Sequence, residues 1–239
     1  MNYTLLCLPV LLPVVFWAAY HYYKDHHLPE PPGHLALAFL LGIGTSYLAG
    51  WMYQALELIG LRFDAFLLAE TNPTAVFFYA IGVIGPIEEF AKLLPFLLVI
   101  IRFKEFDEPL DGIIYASFIA LGYAAIENLQ YVQMATTFEA AARSFAGPVV
   151  HMVFASIWGY YIGRAWLCGR PFAWVAIFSW LVAAFIHGVY DFVVIALPPS
   201  MLPVAAVLIA ALWGWRLLLI RDLHELPAGA CPPGIENTR

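Results

Sequence analysis

Seven apolar stretches, each long enough to cross a lipid bilayer, constrain this chain more than any other feature. They cover residues 3–22, 35–60, 74–101, 112–132, 145–167, 172–197 and 201–220. Roughly 20 apolar residues in a helix traverse the hydrocarbon core, where every backbone N–H and C=O must find its partner inside the protein. None of the stretches alternates apolar and polar residues as the strands of a membrane barrel do. An all-α polytopic membrane protein of about seven transmembrane helices follows. Composition excludes a soluble globular domain, since 63% of the residues are apolar, only 12% are charged and the mean hydropathy is +0.80. A net charge of -6 and a pI near 5.6 leave no basic stripe for a nucleic acid, so the surrounding partner is the lipid bilayer of a cell membrane. Cys7, Cys168 and Cys231 lie far apart and form no CxxC pattern, so neither a disulfide framework nor a zinc finger is expected.

The linkers are polar or rich in helix breakers and too short for a soluble domain, so residues 1–239 are read as one integral membrane domain. Its motif-bearing core spans 74–197, and the polar tail 222–239 is expected to be mobile. Basic residues fix the orientation. Lys24, Arg102, Lys104, Arg164, Arg170, Arg216, Arg221 and Arg239 fall on one side, against Arg62 and Arg143 on the other. The positive-inside rule then puts the N-terminus outside and the C-terminus in the cytoplasm. His21, His26, His27 and His34 cluster around the first cytoplasmic linker and are expected to be solvated.

An ionisable group at the centre of a membrane helix costs at least ~2.5–3.5 kcal/mol, so each one found there demands a partner, a watery cavity or a task. Glu88, Glu89 and Lys92 lie in the third stretch, Glu127 and Asn128 in the fourth, His151 in the fifth, His187 and Asp191 in the sixth. A polar centre formed by helices three to six, jacketed by the others, is the expected result. Glu88 and Lys92, Glu89 and Lys92, and His187 and Asp191 are spaced to meet on one helix face. Adjacent glutamates diverge by about 100°, so only one of Glu88 and Glu89 points at a given spot, and spacing does not say which. Gly82, Gly85 and Pro86 precede them, which predicts a broken helix whose second half begins at Pro86.

These residue types are the parts of a hydrolytic centre. A carboxylate beside an ammonium can act as a general base on water, and His187, His151 or Asn128 can donate to a developing oxyanion. His151, His187, Asp191 and Glu127 could instead ligate a divalent metal such as zinc. Without an HExxH motif or an obvious Ser or Cys nucleophile, direct attack by activated water is favoured, with or without a metal. Structural interhelical hydrogen bonding is the competing reading for any one residue, and loses ground when all eight lie on four successive helices.

Four separated motifs carry a resemblance. Glu88-Glu89-Phe90-Ala91-Lys92, the run from Asp111-Gly112 to Gly122-Tyr123-Ala124-Ala125-Ile126-Glu127-Asn128, His151 with Gly159-Tyr160-Tyr161-Ile162-Gly163, and His187-Gly188-Val189-Tyr190-Asp191 resemble, in order, the motifs of the PrsW family of intramembrane proteases. That family is similar to the CAAX prenyl endopeptidases, which typically carry Arg, His and Asn where Lys92, Glu127 and Asp191 stand here. The resemblance implies hydrolysis of a peptide bond in a membrane-anchored protein near the extracytoplasmic side, in bacterial PrsW an anti-sigma factor. It also implies that Glu88, Glu89, Glu127, His187 and Asp191 belong to the active centre, with metalloprotease and glutamate-protease mechanisms both open. Two other classes compete. A proton- or ion-coupled transporter would use the same carboxylate/His chain, and a haem-binding or scaffold protein would use His151 and His187.

Overall fold

The computed structural model describes residues 3–24, 29–131 and 137–225. Every regular element among the described residues is helical. In order they are α1 (Tyr3–Lys24), α2 (Pro32–Glu57), α3 (Ala65–Thr71), α4 (Pro73–Tyr79), a π-helical turn (Ala80–Ile84), α5 (Gly85–Leu98), α6 (Pro109–Tyr131), α7 (Thr137–Leu167), α8 (Phe172–Ala196) and α9 (Leu202–His224), with short 3-10 turns at Ile100–Arg102 and Pro199–Met201. Five segments are long and apolar enough to cross a membrane: Pro32–Glu57, Pro109–Tyr131, Arg143–Leu167, Phe172–Ala196 and Pro199–His224. The other two apolar stretches of the sequence fall on α1 and on the composite rod α4–α5. His26, His27 and the tail beyond residue 225 lie outside the described residues.

Helix α6 is the axis of the bundle. Of its apolar window 94% is buried, and 72% for α7, against 28% for α2 and 17% for the last helix. Small residues make the α6–α7 seam. A Cβ on Gly112 would stand 2.2 Å from the carbonyl oxygen of Gly159, and one on Gly163 3.4 Å from the Cα of Gly112. Backbones meeting this closely gain dispersion contacts that lipid does not offer, which is how membrane helices associate. At the start of α6, Asp111 Oδ2 accepts from the backbone N–H groups of Asp107 and Glu108 at 2.8 and 2.9 Å, while the Tyr115 hydroxyl donates to the buried carboxylate of Glu30.

The expected break before Pro86 is replaced by a wider turn. Tyr79, Ala80, Ile84 and Gly85 all keep right-handed helical backbone angles, and the chain passes from α4 to α5 through the π-helical residues without leaving helical conformation. A proline ring clashes with the carbonyl four residues back in an ideal α-helix, and a π turn relieves that clash while keeping the rod intact. The same rod is pressed against α8 through two glycines. A Cβ at Gly85 would stand 2.1 Å from the Ala184 carbonyl oxygen, and one at Gly188 2.5 Å from that of Ala80. These contacts bring the double glutamate of α5 against His187 of α8.

Three expectations are corrected. Arg216 does not flank the membrane. It is fully buried, its Nε donates to Ser156 Oγ at 2.7 Å and its Nη2 to Ser117 Oγ at 2.9 Å. Its place near the end of an apolar run hid the fact that α9 packs its arginine inward. His21 is likewise buried rather than solvated, with Nδ1 donating to the Trp17 carbonyl oxygen at 2.7 Å. Cys168 is disulfide-bonded, which spacing along the chain had not suggested because bridging depends on approach in space.

The α5–α8 contact yields a direct test. Gly85→Ala and Gly188→Ala each place a methyl inside a backbone contact and are expected to cost about 1–3 kcal/mol or more. A thermal melt of the purified protein in detergent reads this as a midpoint lowered by several degrees, and unchanged midpoints would show that the helices tolerate a wider separation.

Candidate active site

Glu89, on the inner face of α5, gathers donors from three helices. Its Oε1 accepts from Lys92 Nζ at 2.5 Å and from His187 Nδ1 at 2.8 Å, and its Oε2 accepts from Trp158 Nε1 of α7 at 2.9 Å. Lys92 also donates to His151 Nδ1 at 3.1 Å, with its ammonium 4.9 Å from the centre of the Tyr123 ring. His151 Nε2 in turn donates to Glu127 Oε2 at 2.5 Å, and Glu127 Oε1 accepts from Arg143 Nη2 at 2.7 Å. The guanidinium carbon of Arg143 lies over the Tyr131 ring, 3.6 Å from its centre. One unbroken polar chain therefore runs from His187 through Glu89, Lys92, His151 and Glu127 to Arg143.

Glu88 stands apart from that chain. Its Oε1 accepts from the Tyr53 hydroxyl of α2 at 3.3 Å, whereas its buried Oε2 has no hydrogen-bond partner. That oxygen lies 3.7 Å from His187 Nε2, and Asp191 Oδ2 lies 3.5 Å from the same nitrogen. Because Nδ1 of His187 faces a carboxylate that can only accept, Nδ1 carries a hydrogen, and a neutral ring presents a bare lone pair at Nε2.

Exposure shows which way the cluster opens. The side chains of Glu89 and Lys92 are 0% exposed, that of Glu88 11%, those of Glu127 and Asp191 18% and that of Arg143 36%. The floor is thus built by α5, and the mouth lies where Glu127 and Asp191 approach the C-terminal ends of α6 and α8.

Of the residues singled out in the sequence, Glu88, Glu89, Lys92, Glu127, His151, His187 and Asp191 meet here. Asn128 does not. Its Nδ2 donates to the Ser144 carbonyl oxygen at 3.4 Å and its amide packs beside Gly147, so it belongs to the α6–α7 contact. Sequence reasoning missed Tyr53, Tyr123 and Trp158, aromatics among many that carry no distinguishing spacing. Arg143 entered it only as a charge flanking the membrane.

The same residues place the chain among known proteins. A family model described as PrsW family intramembrane metalloprotease matches residues 30–215, which include every member of the cluster. The chain belongs to the PrsW family. Protease PrsW of Geobacillus kaustophilus is 30% identical over 184 residues, covering 77% of this chain and 77% of its own length. Protease PrsW of Clostridioides difficile is 31% identical over 200 residues, covering 80% and 78%, and that of Bacillus subtilis 26% over 189 residues. No solved structure matches the chain. As a PrsW-family member it is a multi-pass membrane protein and an intramembrane protease.

The family description names a metal, and the cluster has the chemistry to hold a divalent cation. Glu88, His151 and His187 each offer a ligand atom, all within 4.8 Å of one another. Glu88 Oε2 and Asp191 Oδ2 both face His187 Nε2, at 3.7 and 3.5 Å. Of the ligand set expected from the sequence, His151 and His187 are in this group, with Glu88 as its carboxylate in place of Glu127 and Asp191.

Breaking the Glu89–Lys92 pair from one side leaves an uncompensated charge in the bundle. Glu89→Gln is expected to cost about 3–5 kcal/mol of stability. The double change Glu89→Gln with Lys92→Met should recover most of that loss, as read by thermal unfolding in detergent, without restoring cleavage, because His187 Nδ1 still lacks the carboxylate that holds it. A double variant no more stable than Glu89→Gln alone would contradict the pairing.

Proposed function

We propose that the protein hydrolyses a peptide bond of a membrane-anchored protein, near the extracytoplasmic side of the bilayer, with Glu88 as general base. The observation that carries this reading is the contrast between the two glutamates. Both oxygens of Glu89 are occupied by three donors, while Glu88 keeps one oxygen unpartnered beside His187 Nε2. A carboxylate already accepting three hydrogen bonds is a poor proton acceptor, and the free one is the better base.

In the reaction a water beside Glu88 Oε2 gives its proton to that oxygen as its own oxygen bonds to the carbonyl carbon, and the carbonyl electron pair moves onto the substrate oxygen. Collapse of the tetrahedral intermediate breaks the C–N bond, and the proton on Glu88 passes to the departing amine nitrogen. His187, held by Glu89, and Asp191 beside it orient the water. A divalent metal such as zinc, held by Glu88, His151 and His187, would supply Lewis-acid polarisation and an acidified water. Asp191 would stand beside that site as a carboxylate outside the ligand set.

The orientation follows from the basic residues. Moving Arg216 out of the cytoplasmic set leaves seven against two, the same sense as before, and the mouth beside Arg143 opens outward. The family resemblance points to a membrane-anchored anti-sigma factor as the substrate.

The test compares membrane-protein fragments by mass spectrometry in cells carrying the unaltered protein and Glu88→Gln. A fragment pair lost on substitution identifies the cut bond, and turnover of a peptide spanning that bond should fall by about 100-fold or more with insertion and thermal midpoint retained. Cleavage within a few-fold of the unaltered protein would reject Glu88 as the base. Elemental analysis with chelation separates the two chemistries: activity lost with the metal and restored by zinc assigns a metalloprotease, and full activity of metal-free protein assigns glutamate-only hydrolysis.

A further inference from the structure

We infer that the crevice between α1 and α2 seats one structural phospholipid, whose two acyl chains fill the gap at the end of the bundle opposite the mouth of the site. The crevice follows from how the first two helices dock. α1 packs on α6 and α7, α2 packs on α6 and α5, and the pair straddles Phe118 of α6 instead of closing on itself. Ala18 and Ala19 of α1 and Ala36 of α2 face the gap, which larger side chains would have filled. Its volume is about 580 Å³, and its walls are apolar from Val14 down to Tyr22. Phe118 precedes Glu127 by nine residues on α6. At ~1.5 Å per residue this puts crevice and catalytic cluster in opposite halves of the bilayer.

Size and chemistry select the occupant. Left empty, a gap of that volume would forfeit dispersion contacts along all its walls. Water gains little there, because an ordered water needs about two to four polar partners and the walls are apolar. A second helix is too thick. The eight steps from Val14 to Tyr22 span about 12 Å, and a helix about 10 Å across would need about 900 Å³ over that length. Acyl chains fit. A zigzag of ~1.5 Å bonds advances about 1.3 Å per methylene, so about ten methylenes reach the bottom. At ~30 Å³ each, the share of a molecule in liquid water, two such chains side by side occupy about 600 Å³. The open end suits a phosphate. The Tyr22 side chain is exposed there, as interfacial tyrosines are. α2 begins beside it at Pro32 with no side-chain cap, so the positive end of its dipole lies at headgroup level. Glu30, just before that turn, accepts from the Tyr115 hydroxyl and is buried.

The experiment uses the full-length protein purified in a mild detergent, and its readouts are independent of cleavage. Native mass spectrometry is expected to show one adduct of phospholipid mass per chain. Ala19→Phe combined with Ala36→Phe, both at exposed positions on the walls, should fill the crevice and lower that adduct by about 10-fold or more. Dioleoylphosphatidylglycerol added to delipidated protein should raise the thermal midpoint of the unaltered chain by several degrees and leave that of the double variant unmoved. Dioleoylglycerol, which lacks the phosphate, should bind several-fold more weakly, and equal binding would overturn the assignment to a phospholipid. An adduct equally abundant on both proteins is loosely held boundary lipid and overturns the inference, as does a detergent molecule or a second copy of the chain in place of the lipid. Should the double variant fail to accumulate, phosphatidylglycerol bearing a diazirine on its acyl chains is photolysed with the unaltered protein. Labels concentrated on residues 14–22 and 32–40 support the site, and labels spread evenly over the exposed faces of α8 and α9 reject it.

Discussion

The carboxylate of Glu89 is the point on which the rest of the site depends. It sits in full burial with hydrogen bonds from Lys92, His187 and Trp158, one partner on its own helix and one each on α7 and α8. In a medium with no water to substitute, each of those donors would be stranded without it, and a stranded charge or N–H in hydrocarbon is expensive. One anion therefore sets the position of the ammonium, fixes which nitrogen of His187 carries the hydrogen and draws three helices to a common depth.

This arrangement divides labour between neighbours in the chain. The roughly 100° between successive helical residues turns Glu89 into the bundle and Glu88 toward the opening. The inward one is saturated and rigid. The outward one keeps an oxygen without a hydrogen-bond partner 3.7 Å from Nε2 of His187. Two chemically identical side chains acquire different tasks from helical geometry alone, supported by the π turn and by glycines that let α5 lie directly on α8.

How much of this could be read beforehand depended on the kind of residue. Charge inside an apolar run is conspicuous, and the seven ionisable residues picked out on that ground converge. Asn128, chosen by the same logic, turned to a backbone carbonyl instead, since an amide satisfies itself locally as readily as in a cluster. Tyr53 and Trp158 were invisible because they carry no charge to stand out in an apolar run and are two aromatics among many. Arg216 and His21 were assigned to the membrane surface from their positions near helix ends, a rule that measures depth along the chain and not the direction of a side chain. Gly82, Gly85 and Pro86 marked the right place for an irregularity, but their composition does not distinguish a break from a π turn.

The buried guanidinium of Arg216 bears on how the bundle is put together. Its two acceptors, Ser117 and Ser156, sit on different helices, and the hydroxyl of each is itself bonded to a carbonyl one turn earlier, so the oxygens are aimed before the arginine arrives. They form a paired receptor only after α6 and α7 have zipped together along their glycines. The contact that anchors α9 is therefore complete only in a bundle whose α6–α7 seam is in register, so a single cation ties the last helix to the alignment of the central pair.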